Sequence, residues 1–235
     1  MTAVLPEDVQ SSDAPTFTGQ EVADAVSAIS QGQLALLKGD IGYGLFSVSE
    51  RGLRKMYAVK GRPYSNPCIV IANADILEDI ARIPNQRIRQ WIADMTAWTT
   101  LAVVLPVRDD SRLLSSLPDW VYGQTVTNRT IAAFLSPGAF LDQVIAQAAA
   151  TGIPLVGSSA NPSSQGNIYE FADIPKHIVN AVDIHIDHGK SKYANKERRA
   201  TTIVNFTNFT IKRRGVNWQK IEQSFIQIKE SFENA

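Results

Sequence analysis

The chain is poor in cysteine, has no surplus of charge of either sign, and lacks a long apolar run. Cys68 is the one cysteine among 235 residues, which excludes a disulfide framework and a cysteine-rich zinc site and fits a reducing compartment. The 23 basic side chains cancel the 23 acidic ones, so no whole-molecule positive field gathers nucleic acid, and a polyanion has to be met by a local patch. No stretch reaches the about 20 apolar residues of a membrane-spanning helix. Residues 1–16 are acidic and proline-bearing, without the basic start or apolar run of a signal peptide. A composition of 44% apolar and 20% charged residues suits a globular chain with a sizeable core. The expectation is a cytoplasmic protein without membrane contact.

Periodicity and punctuation supply the elements. Thr18 and Glu21 form a capping box ahead of Val22, Ala25, Val26 and Ile29, predicting a helix over 19–30. Residues 34–37 read as a buried strand, and 38–45, with Gly39, Gly42 and Gly44 close together, as a loop that lets backbone approach a ligand. Ser49 caps a helix with Leu53, Met56 and Tyr57 on one face, running into Lys60-Gly61-Arg62-Pro63. Pro63 disfavours helical geometry at Arg62, which leaves the Lys60 and Arg62 heads free on the exit turn. Further strands are predicted at 68–71, 101–105, 125–131 and 154–156. Helices are marked by Ile88, Trp91, Ile92 and Met95, and by Phe140, Leu141, Val144, Ile145 and Ala148.

Residues 157–166, rich in Ser, Asn, Gly and Pro, form a loop dense in hydroxyl and amide groups. Strands follow at 184–186 and 202–204, the latter in a hairpin with 209–213, and Trp218, Ile221, Phe225, Ile228 and Phe232 mark a closing amphipathic helix. The expected fold is a single α/β domain over 17–216, a twisted mixed sheet flanked by helices, with a flexible tail at 1–16 and a C-terminal helix within 217–235.

Taken singly, the polar features are weak. Gly42-x-Gly44 is neither a Walker loop nor a dinucleotide fingerprint. Cys68 lies in an apolar run and reads as a structural thiol, and His185 and His188 have no third ligand nearby in sequence. No metal site is expected from protein ligands. The densest basic run, Lys190, Lys192, Lys196, Arg198 and Arg199, has three readings: a solvated loop, a lid over a polyphosphate that is mobile until ligand binds, or an RNA contact.

Taken in order, the features resemble the YrdC-like family of threonylcarbamoyl-adenylate synthases. The resemblance rests on the Gly42-Tyr43-Gly44-Leu45 turn, Lys60-Gly61-Arg62, Ser159-Ala160-Asn161, the strand Ala200-Thr201-Thr202-Ile203-Val204 and Arg213-Arg214-Gly215-Val216. It implies a single YrdC-like α/β domain. It also implies a nucleotidyltransferase that joins ATP, bicarbonate and an amino acid into a carbamoyl-adenylate and releases pyrophosphate. In the family that product is L-threonylcarbamoyladenylate, used with partner proteins to modify tRNA, and double-stranded RNA binding is also associated with it. By that resemblance Lys60 and Arg62 are catalytic, and Lys60, Arg62, Arg129, Ser159, Asn161, Thr201 and Arg213 hold ATP, with Mg²⁺ as counterion. Lys38, Gly39, Ile41, Tyr43 and Ile71 border the amino acid. Such chemistry needs positioned cations and hydroxyls more than a protein nucleophile.

The departures lie at the acceptor end. The family's two pocket threonines align with Gly39 and Ile41, the preceding proline with Lys38, and a histidine with Ile71. A site built around a substrate hydroxyl and stripped of its polar partners need not keep that substrate, and Lys38 raises the expectation of a more acidic acceptor. Two rivals stand beside threonine activity: carbamoyl-adenylate formation on another acceptor, and a non-catalytic nucleotide- or RNA-binding module.

Overall fold

The computed structural model describes residues 17–233; the tail expected at 1–16 lies outside them. Helix α1 (Gly19–Ser30) starts at the Thr18 and Glu21 capping box. It is followed by strands β1 (Ala35–Gly39) and β2 (Gly42–Phe46), helix α2 (Glu50–Lys60), strand β3 (Ile69–Ala72), helices α3 (Ala74–Ile80) and α4 (Gln86–Thr96), and strand β4 (Leu101–Pro106). Next come α5 (Arg112–Ser115), α6 (Asp119–Thr125), β5 (Val126–Thr127), β6 (Thr130–Leu135), α7 (Ala139–Ala150) and β7 (Leu155–Ser159). A 3₁₀ turn at Phe171–Asp173, α8 (Lys176–Val179), β8 (Ile184–Ile186), β9 (Ile203–Asn205), β10 (Thr210–Arg213) and α9 (Trp218–Glu233) complete the described chain.

The strands form one sheet in the order β10-β9-β4-β6-β3-β7-β2-β1-β8, with β5 paired to β6. Pairs β1/β8, β3/β6 and β4/β9 are parallel and the others antiparallel, so the sheet is mixed. One rung crosses five strands: Arg213 pairs with Ile203, Ile203 with Ala102, Ala102 with Phe134, and Phe134 with Ile71. The strands read as near-continuous apolar runs because helices cover them: α1 and α7 pack on β1, α3 on β3 and β6.

The stretch expected as a glycine loop at 38–45 is an antiparallel hairpin. Gly39 pairs with Gly42 across the two-residue turn Asp40-Ile41, and Gly42 takes φ +132°, a conformation that favours glycine. A Cβ on Gly42 would also stand 2.7 Å from the Ile168 carbonyl oxygen. The strand expected at 125–131 is likewise broken: α6 runs to Thr125, and Asn128 and Arg129, with φ +51° and +57°, turn β5 into β6. Short elements α5 and α8 gave no periodic signal, being too brief to show one.

Helix α9 belongs to the same core as the sheet. Trp91 of α4 donates its indole N–H to the Ser224 hydroxyl at 2.8 Å, and its ring meets Phe206 and Phe225. No helix among the described residues is long and apolar enough to cross a membrane.

Candidate active site

Alternation along the strands decides what faces the cavity. Gly42, Gly44 and Phe46 of β2, Gly157 and Ser159 of β7, Ile69 and Ile71 of β3, and Ala132 and Phe134 of β6 project to one side of the sheet and line a cavity of about 370 Å³. Small residues make the space. A Cβ on Gly44 or Gly157 would collide with the Phe46 ring, so that ring lies flat on a glycine floor.

The walls are chemically segregated. Buried apolar side chains of Ile41, Phe46, Ile71, Val104, Phe134 and Leu141 form the floor, while Arg62, Lys212 and Arg213 stand at the more exposed rim. Arg213 donates through Nε to the Thr201 carbonyl at 2.9 Å. Its crowded setting and the nearby Arg62 charge pull its pKa down to about 10. Arg62 is anchored by donating to the Pro67 carbonyl at 2.7 Å. Two guanidinium groups at one cavity mouth form a ready anion site.

Lys60 stands behind this wall. Its ammonium is buried and donates to the carbonyls of Ser159 and Asn161, and it is absent from the cavity lining. Burial and the Arg62 charge lower its pKa to about 7. Asn161, also buried, donates to the Pro162 carbonyl at 2.8 Å, and its side-chain oxygen lacks a donor. The turn at Gly61, φ +57°, sends Lys60 inward and Arg62 to the rim.

Of the residues singled out by sequence, Arg62, Ser159, Thr201, Arg213, Ile41 and Ile71 meet at this cavity; Tyr43 borders it as well, but its hydroxyl is turned to Asp187. Arg129 does not. It sits in the β5–β6 turn, beyond the cavity-lining part of β6, and pairs with Asp109 at 2.9 Å. Lys38 does not either, for a reason of register: it pairs with Tyr43, and cross-strand partners share a face. That face points away from the cavity. There Tyr43 donates its hydroxyl to the Asp187 carboxylate, with the Gly189 carbonyl 2.9 Å away. Lys38 is buried near Asp40 and Asp187, whose charges partly offset the lowering of its pKa by burial. Lys38 is thus absent from the cavity lining. At Gly39, Leu141 fills the space a side chain would take, its Cδ1 2.9 Å from an added Cβ.

The structure adds Asn66, Cys68, Asn167 and Lys212 to the cavity wall. Asn167 donates to the Ile41 carbonyl at 2.7 Å and so fixes the hairpin turn. Lys212 stood within the Lys212-Arg213-Arg214 run, a visible signal; Asn167 had none beyond its place in a polar loop. The Cys68 thiol is within 3.4 Å of the Tyr57 hydroxyl, and burial raises its pKa, which keeps it a neutral thiol.

The basic segment is tied to the body. Ser191 N–H donates to the Tyr169 carbonyl and Tyr193 N–H to the Asp40 carbonyl, both at 2.9 Å. Asn195 bridges the Tyr169 hydroxyl, at 2.7 Å, to its own segment. In the described structure this segment is a hydrogen-bonded strap. Among the described residues no group of three or more His, Cys, Asp and Glu side chains is placed to hold a metal ion.

Comparison with known proteins agrees with this fold. The Sua5/YciO/YrdC family model, described as Telomere recombination, matches residues 27–215. No curated protein matches in sequence. Among solved structures, Sua5 of P. abyssi complexed with L-threonine is similar at 19% identity and a TM-score of 0.72, with 89% of this chain and 58% of that one covered. YciO of E. coli gives 15% identity and 0.67, covering 84% and 90%. A full-length HypF in a phosphate- and nucleotide-bound form gives 14% and 0.60, covering 79% of this chain and 27% of that one. The chain thus spans 50% to 58% of the length of the Sua5 chains it matches.

Proposed function

The chain belongs to the Sua5/YciO/YrdC family, and from that premise we propose that its cavity makes a carbamoyl-adenylate from ATP, bicarbonate and an amine. The observation that carries the reading is the cationic rim of Arg62, Lys212 and Arg213 over an enclosed apolar floor. The rim suits a triphosphate and the floor suits a small organic acceptor. Two solved relatives support the pairing: one holds L-threonine, another phosphate and nucleotide.

In this reading the amine and bicarbonate condense to a carbamate and water. One carbamate oxygen then bonds to the α-phosphorus of ATP as the bond to the bridging oxygen breaks, and pyrophosphate leaves with that electron pair. Arg62 and Arg213 hold the charge that accumulates on the departing pyrophosphate. The hydroxyls of Ser159 and Thr201 orient phosphate oxygens. Lys60 is a positioning residue: by gripping the Ser159 and Asn161 carbonyls it fixes the loop that presents Ser159. In this scheme Mg²⁺ enters as a partner of the phosphates, there being no cluster of protein ligands for it among the described residues.

The product's use in tRNA modification, with partner proteins, belongs to the same proposal. The test is pyrophosphate release from ATP and Mg²⁺, dependent on bicarbonate and on an added amino acid. ATP binding without release under any amino acid overturns catalysis and leaves a binding module.

A further inference from the structure

Resting on the reading that the acceptor sits at the Ile41 and Ile71 end of the cavity, we infer that the acceptor is an amino acid with an aliphatic side chain of valine size or larger. Hydroxylated and acidic amino acids are disfavoured.

The inference follows from what lines that end. Ile41, Ile71, Phe134 and Leu141 are each less than a tenth exposed and all face the cavity. Phe134 and Ile71 stand side by side on one rung. Leu141 reaches in from α7 to the place above Gly39, so a substrate entering there meets methyl and aryl groups on several sides. Asn167, also in the lining, commits one amide N–H to the Ile41 carbonyl.

Two chemistries are thereby disfavoured. A substrate hydroxyl buried against these four side chains would leave water and find no partner. A second carboxylate would find no cation among these side chains, because Lys38 lies on the opposite face of β1 beside Asp40 and Asp187. An aliphatic side chain loses nothing on entry and gains the burial of its own surface. The rim arginines remain for phosphate and for the α-carboxylate.

Valine and threonine provide the sharpest comparison, since they are nearly isosteric and differ by methyl against hydroxyl. An apolar pocket discriminates such a pair only modestly, by up to about a hundredfold. Bicarbonate-dependent pyrophosphate release should therefore show kcat/KM for valine about 10- to 100-fold above threonine, with aspartate inactive. Ile41→Thr should narrow that ratio or invert it.

Equal or better use of threonine overturns the inference and leaves carbamoyl-adenylate synthesis standing. If ATP binds but no amino acid triggers release, catalysis fails instead, and calorimetry of valine and threonine against the ATP-saturated protein decides the pocket. Tighter valine binding upholds the inference; binding of neither, or of threonine more tightly, overturns it.

Discussion

The Tyr43 hydroxyl bonds to the Asp187 carboxylate, joining the hairpin whose other face lines the cavity to the start of the basic strap. The phenol is buried, and burial together with the Asp187 contact raises its pKa, so it stays a neutral donor across the physiological range. Asp187 in turn accepts from the Gly189 N–H at 2.8 Å, which shapes the entry to residues 190–199.

Removing that hydroxyl should loosen the strap. Tyr43→Phe removes the bond from the buried phenol to the exposed Asp187 carboxylate, a loss of about 0.5–1.5 kcal/mol. Limited trypsin digestion should then cut at Lys190, Lys192 or Lys196 in the variant well before the wild type. Equal digestion of both would show that the strap holds by its other bonds.

The anion site should depend on both guanidinium groups. Arg62→Ala and Arg213→Ala each remove a charge-assisted contact of about 1.5–3 kcal/mol, so each should weaken ATP by roughly ten- to a hundredfold in calorimetry. Arg129→Ala, paired with Asp109 away from the cavity, should leave ATP affinity unchanged.

Lys60 should leave a pH signature on stability. Its folded pKa of about 7 lies below its ordinary 10.5, so between these values the unfolded chain binds more protons. The penalty for burying the charge is full below pH 7 and fades as pH rises toward 10.5. Urea unfolding from pH 7 to 9 should therefore show the wild type gaining on Lys60→Met by about 1–3 kcal/mol. A difference that stays flat over that range would refute the shifted amine.

Two glycines under the same ring should respond differently. In Gly44→Ala the added methyl meets the Phe46 ring, a side chain able to swing, whereas in Gly157→Ala it also meets the Leu45 backbone carbonyl. Gly44→Ala should fold with a smaller cavity and weaker ligand binding. Gly157→Ala should lose at least about 2 kcal/mol of stability, read by thermal melting.

How legible this was in sequence depended on element length. Helix α1, with its capping box, and α9, with five apolar residues in register, were visible because periodicity accumulates over three or more turns. The β1–β2 hairpin was hidden because Gly39, Gly42 and Gly44 read as loop, although all three lie in strands with little room for a side chain. Arg62 and Arg213 were found through spacing within short motifs. Lys60 and Lys38 were misplaced because spacing does not tell which face a side chain takes. Leu141 and Phe134 looked like ordinary core residues, and only the packing of α7 on β1 and β3 and the pairing of β3 with β6 turn them into cavity wall.

The rung from Arg213 to Ile71 also governs how the protein comes into being. It joins positions roughly 140 residues apart, and such pairings are reached late because loop-closure entropy precedes their reward. During synthesis β4, a run of Leu, Ala, Val, Val and Leu, waits as an open edge until β9 is made and docks in parallel beside it. In that interval the chain carries an unpaired apolar strand of the kind that seeds association between nascent molecules. The last strands to emerge therefore carry Arg213 to the binding site and also seal the sheet against aggregation.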